Sequence, residues 1–169
     1  MEIRISVRKL VEFIQRSGNI DNRRFAFSET SMQEGGRIHR MIQRRMGPDY
    51  RAEVALKYLY HTPDYDICIE GRADGIFTIR EKSAGELPQV VDWSMVEKQD
   101  QQAASVIDEI KGTWRDVRRM RGPAPVHLSQ AQCYAFIYGK QNGLTDVQVR
   151  LTYCNMETEE LRYFRFGYT

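Results

Sequence analysis

The stretch Val106 to Thr113, VIDEIKGT, decides how this chain is read. Val106 and Ile107 are branched apolar residues of the kind that fill a buried β-strand, yet they run directly into Asp108, Glu109, Ile110 and Lys111. Side chains two apart share a face of a strand, so Glu109 and Lys111 project together while Asp108 faces away. A carboxylate at the end of a buried strand is costly unless a cation or hydrogen bonds compensate it. A salt bridge would do so, and so would a metal ion with an anionic substrate.

Working outward, a strand signal from Tyr65 to Ile79 contains GRADGIFTI, in which Gly71 and Gly75 flank Asp74 and the apolar residues Ile76, Phe77 and Ile79 resume the strand. Glycines inside strands mark a bulge or a close backbone approach. Asp-Gly is also a common turn pair, but a tight hairpin does not need apolar strand on both sides. Between this strand and Val106, the stretch from Glu81 to Ser105 is polar and irregular, with Trp93, Met95 and Val96 as its apolar cluster. It reads as a long excursion joining antiparallel neighbours, which lets Asp74 and Glu109 meet at one edge of the sheet.

The remaining periodicities place these strands among helices. Val7, Leu10, Val11 and Ile14 predict a helix over Ser6 to Arg16 ending at Gly18. Ser31 and Glu34 predict a capping box for a second helix with the apolar stripe Ile38, Met41, Ile42 and Met46, stopping at Gly47-Pro48. Arg37, Arg40, Arg44 and Arg45 decorate that helix, and His39 lies at the border of its stripe. A strand signal runs from Arg51 to Tyr60. After Pro123 and Pro125 a third helix is expected from about Leu128 to Gln141, closed by Gly143 and carrying Gln130 and Tyr134 on one face. Two strands, Val147 to Cys154 and Leu161 to Phe166, close the chain. Beyond Lys111, Trp114 sits beside Arg115, Arg118, Arg119 and Arg121, a basic run that suits either a solvated face or a polyanion.

Composition bounds what such a site can be. A chain of 169 residues, 41% hydrophobic and 28% charged, is expected to be one globular domain that buries about two thirds of its unfolded surface. The 25 basic and 23 acidic residues nearly cancel, so net charge says little about partners. Cys68, Cys133 and Cys154 are far apart, with no CxxC pair, which argues for reduced core thiols rather than disulfides, a zinc ribbon or an iron-sulfur cluster. MEIRISVRKL lacks the apolar run of a signal peptide, and no stretch approaches the roughly 20 apolar residues of a membrane span. The expected setting is cytoplasmic, with no membrane partner. No GxxxxGK[ST] loop is present.

A helix with Gly36-x-x-His39, a strand with GRADG, a strand with DEIK and a helix with Gln130-x-x-x-Tyr134 follow one another in an order that resembles the RecB-like branch of the PD-(D/E)XK nuclease superfamily. The resemblance spans Ser31 to Tyr138. It implies an α/β, restriction-endonuclease-like αβββαβ core with a mixed central sheet flanked by helices. It also implies a metal-dependent nuclease acting on DNA, an exonuclease on single-stranded ends in repair or recombination. Asp74 and Glu109 would be metal ligands with His39 and the carbonyl of Ile110. Lys111 would act on the attacking water or the scissile phosphate, and Gln130 and Tyr134 would support the site or contact DNA. The ion would be Mg²⁺ or Mn²⁺. Trp114 and the arginines at 115, 118, 119 and 121 would bind the nucleic acid. Such domains often belong to larger helicase–nuclease proteins, which leaves room for a helicase domain on the same or a partner chain. The four cysteines that some relatives use for an iron-sulfur cluster are not matched here. Two other classes stay open: an inactive nuclease fold that binds nucleic acid, with Glu109 and Lys111 as a structural ion pair, and an interaction module independent of nucleic acid.

Overall fold

Strand β4 (Ala103–Thr113) is the centre of the molecule, and Val106 to Ile110 are all buried along it. Its apolar residues therefore do not alternate with polar ones, because helices cover both faces. The computed structural model describes residues 1–16, 29–80 and 103–168. Among these, the order is β1 (Glu2–Ser6), α1 (Val7–Ile14), α2 (Glu29–Arg45), β2 (Arg51–His61), β3 (Asp66–Arg80), β4, a 3₁₀ turn (Val117–Arg119), α3 (Pro125–Asn142), β5 (Val147–Asn155) and β6 (Leu161–Tyr168). From α2 to β5 this is the expected αβββαβ succession, extended by β1 and α1 before it and by β6 after it.

The sheet is mixed. β4 pairs antiparallel with β3 and parallel with β5, while β6 runs antiparallel to β5. Helices α1 and α3 pack on one face through Val7, Val11, Ala131, Tyr134 and Ile137 against Ile107, Val149 and Leu151. Helix α2 covers the other face, with Ile38 and Ile42 against Ile110 and Cys154. The result is an α/β layering in which the even and odd residues of β4 feed separate cores.

Local chemistry sets the helix ends. The Ser6 hydroxyl accepts a hydrogen bond from the Lys9 N–H at 3.2 Å and caps α1. Helix α3 starts at Pro125 instead of near Leu128, since a proline at the first helical position needs no N–H partner. It ends on Gly143 in the left-handed conformation, φ 63°. Helix α2 begins at Glu29, so Ser31 lies inside it and is not the expected cap. The expected cluster of Trp93, Met95 and Val96 lies outside the described residues.

Strand β1 is an addition to the expected set of elements. It pairs in parallel with β3 from Glu2↔Asp66 to Ser6↔Glu70. Since β2 lines one edge of β3 from Asp66 to Ile76, β1 and β4 must share the other edge. β4 takes Gly75 to Arg80 and β1 takes Asp66 to Glu70. Positions 71–74 of β3 therefore face a gap between two strand ends.

Candidate active site

The gap in β3 is where the sequence-predicted residues converge. The β3–β4 ladder ends at Gly75↔Asp108, and one step further the strands separate with Asp74 opposite Glu109. Asp74 Oδ2 accepts the Ile110 N–H at 2.7 Å, so a side chain takes the place of the next ladder bond. Its other oxygen lies 3.3 Å from His39 Nδ1 of α2. From the opposite face, Gln130 of α3 holds Lys111 through Oε1 at 3.4 Å. Lys111 Nζ in turn contacts Glu109 Oε1 at 2.7 Å.

A break in the pleat brings Asp74 edge-on into this gap. Ile69, Ala73 and Ile76 all join the core beneath α3, so alternation slips by one residue between Ala73 and Ile76. The two glycines report the same slip. They are four apart and should share a face, yet a Cβ on Gly71 would meet Tyr134 of α3 at 2.8 Å, whereas one on Gly75 would overlap the ring of Tyr50 on the other side. Across the strand pair, the ladder joins Ala52 to Gly75 and Val54 to Ala73 but omits Glu53 and Asp74. Glu53 has φ 54°, a left-handed conformation unusual outside glycine. The Asp74 carbonyl accepts instead from Gln43 Nε2 at 2.9 Å.

Electrostatically the site is short of positive charge. Glu109 is 2% exposed, and its Oε2 is a buried oxygen with no hydrogen-bond partner. Burial and then the Asp74 charge push the Glu109 carboxyl up to about 7, against the opposing pull of Lys111 and His39. At His39 burial disfavours the imidazolium, but the Asp74 hydrogen bond and charge outweigh it and the pKa is raised. An orphaned carboxylate oxygen beside a second carboxylate and an imidazole is a donor set that fits a divalent cation, with nitrogen favouring Mn²⁺ over Mg²⁺. Ile110 reaches the site through its N–H.

Asp108 faces the other core, as its parity requires, and is fully occupied there. It accepts from Tyr50 at 2.8 Å, from Thr152 at 2.6 Å and from Arg150 at 3.0 and 2.8 Å. Tyr134 of α3 packs its ring and hydroxyl against Gly71, which seats α3 at the gap. The basic run after β4 is only partly available. Arg118 is held by both Glu160 oxygens at 2.8 and 2.7 Å, and Arg119 lies 3.6 Å from Asp116. Among the described residues Arg115 and Arg121 have no acidic partner, and Trp114 is 69% exposed. On α2, Arg37 is committed to Glu159 at 3.0 Å.

Two side chains at the site carry no signal in the sequence. Glu53 offers a donor atom that lies, with those of His39 and Asp74, within a mutual 4.8 Å. His127, in the first turn of α3, is lowered to about 4 by burial and by the charges of Lys111 and Arg8. The Tyr153 hydroxyl accepts the Ala124 N–H at 3.0 Å and lies in hydrogen-bond contact with His127 Nδ1 at 2.8 Å. Neither residue lies in a recognisable motif, because strand conformation and tertiary contacts define their positions.

Among the described residues no helix is long and apolar enough to cross a membrane. No family model and no curated protein matches the chain. Among solved structures, the crystal structure of SSO0001 is similar over 98% of this chain and 67% of that one, at 16% identity and a TM-score of 0.59. That likeness is one of fold.

Proposed function

We propose that this chain is a divalent-metal-dependent nuclease that hydrolyses DNA phosphodiester bonds, an exonuclease on single-stranded ends serving repair or recombination in the cytoplasm. The observation that carries the reading is the orphaned, buried Oε2 of Glu109 beside the Asp74 carboxylate. A structural ion pair alone would leave that oxygen costly and unexplained. His39, Asp74 and Glu109 would hold the ion. A hard cation held by such oxygens makes hydroxide accessible near neutral pH and neutralises charge developing on a phosphate.

The protein's own residues supply the rest. Lys111, fixed between Glu109 and Gln130, presents an ammonium that orients the attacking water or the scissile phosphate. Gln130 and Tyr134 brace that arrangement from α3. Trp114, with Arg115 and Arg121, offers a stacking surface and phosphate contacts just past the end of β4. A helicase domain, on this or another chain, is the partner that the RecB-like resemblance suggests.

The 2.7 Å Glu109–Lys111 contact also favours a second reading, an inactive nuclease fold that binds nucleic acid. Incubating end-labelled single- and double-stranded DNA with Mn²⁺, Mg²⁺ or EDTA separates the two. Metal-dependent shortening of single strands, lost in Asp74→Asn, is expected. DNA binding without cleavage under every metal condition would leave the second reading standing.

A further inference from the structure

We infer that His127 is a further substrate-positioning residue of this site, taking a backbone phosphate of the bound single strand through its open Nε2, beside the position that Lys111 serves. The inference rests on the nuclease reading above and extends it to a residue outside the GxxH, GRADG, DEIK and QxxxY motifs. His127 stands three residues before Gln130 on α3, so the two share a helix face one turn apart. Gln130 in turn holds Lys111 Nζ at 3.4 Å. Across the sheet, Tyr153 of β5 is the direct partner of Lys111 of β4, and its hydroxyl lies 2.8 Å from His127 Nδ1. Lys111, Gln130, His127 and Tyr153 thus form a closed circuit of neighbours, to which Glu109 is joined by its 2.7 Å contact with Lys111.

The second nitrogen of this imidazole is left over. Among the described residues Nε2 has no hydrogen-bond partner, and it is not sealed in the core, where Glu109 Oε2 is the buried side-chain atom without one. No carboxylate pairs with the imidazole either. Burial, and then the positive charges of Lys111 and Arg8, hold its pKa down at about 4, so it is neutral at physiological pH. A half-buried imidazole beside two cations suits an incoming anion. A phosphate oxygen only accepts hydrogen bonds, so the proposed contact requires the proton on Nε2, with Nδ1 accepting from the Tyr153 hydroxyl. That hydroxyl can donate to His127 while it accepts the Ala124 N–H at 3.0 Å, and the imidazole is then oriented before DNA arrives.

Fluorescence anisotropy in EDTA with a labelled single strand measures this contact without cleavage, and Mn²⁺-dependent shortening of the same strand is read separately. His127→Ala should weaken binding about tenfold at an unchanged salt slope, because a neutral group displaces no counterion. His127→Gln, whose amide reaches the place of Nε2, should restore most of the affinity. His127→Asn, whose amide reaches only the place of Nδ1, should not. The opposite order would make His127 an anchor for Tyr153 and overturn the inference, and so would wild-type affinity in all three variants. Strands carrying one uncharged methylphosphonate, moved along the backbone, give an independent measure. At one position the loss should be about tenfold smaller in His127→Ala than in the wild type, the non-additivity of two groups in contact. Losses that simply multiply at every position would overturn the inference, while continued shortening by Mn²⁺ would leave the nuclease reading in place. A wild type that binds no DNA would remove both.

Discussion

Glu109 links the chemistry of the site to the stability of the fold. Its carboxyl is pushed from 4.5 up to about 7, so in the metal-free protein the folded state binds a proton more tightly than the unfolded chain does. The associated stability is fully present below about pH 4.5 and is lost as pH rises through about 7, amounting to about 3 kcal/mol at most. The raised pKa of His39 acts in the same direction, its contribution fading as pH rises past 6.5 and through the higher folded value. We predict that urea midpoints in EDTA fall between pH 5 and pH 8, and that Glu109→Gln flattens most of the fall. An unchanged slope in that variant would contradict the assignment of the buried charge. The same residues set the rate. Asp74→Asn and Glu109→Gln should each reduce cleavage more than the roughly 10–100-fold typical of residues behind a ligand. Lys111→Ala should bind Mn²⁺ normally and lose about 10²–10³ in turnover. Single-turnover assays at saturating metal would measure both.

At the level of elements, the slip between Ala73 and Ile76 makes two glycines unequal in consequence. Alanine at Gly75 would drive a methyl into the ring of Tyr50, which is hydrogen-bonded to Asp108 and stacked 5.9 Å from Phe77. A destabilisation of about 1–3 kcal/mol is expected from such overpacking. Alanine at Gly71 presses on Tyr134 instead, so it should lower activity more than stability, read as cleavage rate against thermal midpoint. Removing the Asp108 carboxylate leaves Arg150, with a side chain only 15% exposed, without its main partner, and about 3–5 kcal/mol should be lost in Asp108→Ala. Much of this layout is legible in the chain. Alternation and apolar stripes place the αβββαβ elements, and parity alone turns Asp108 away from Glu109. Strand β1 escapes such reading because five residues that alternate charge with isoleucine look like many surface segments, and its partner lies 64 positions downstream. The early start of α2 and the left-handed Glu53 escape it too, since packing decides them over local propensity.

For the molecule as a whole, the arrangement of arginines decides how a polyanion would be met. Arg118 and Arg119 already answer to Glu160 and Asp116, so neutralising them should barely change DNA affinity. Arg115→Gln with Arg121→Gln should reduce the salt slope by about one for each phosphate that is no longer neutralised. Fluorescence anisotropy with a labelled single strand between about 50 and 200 mM salt would resolve this. Equal effects of both arginine pairs would return the whole run to a solvated face.

The shared edge of β3 also has a temporal meaning. His39, Asp74, Glu109 and Gln130 are distant in sequence and reach one another only when the edge of β3 that β1 and β4 share has been assembled. Such non-local pairings are reached late, because chain closure must be achieved before they reward it. Affinity for Mn²⁺ should therefore emerge with the slowest refolding phase rather than with helix formation, which makes a bound ion a reporter of the completed sheet.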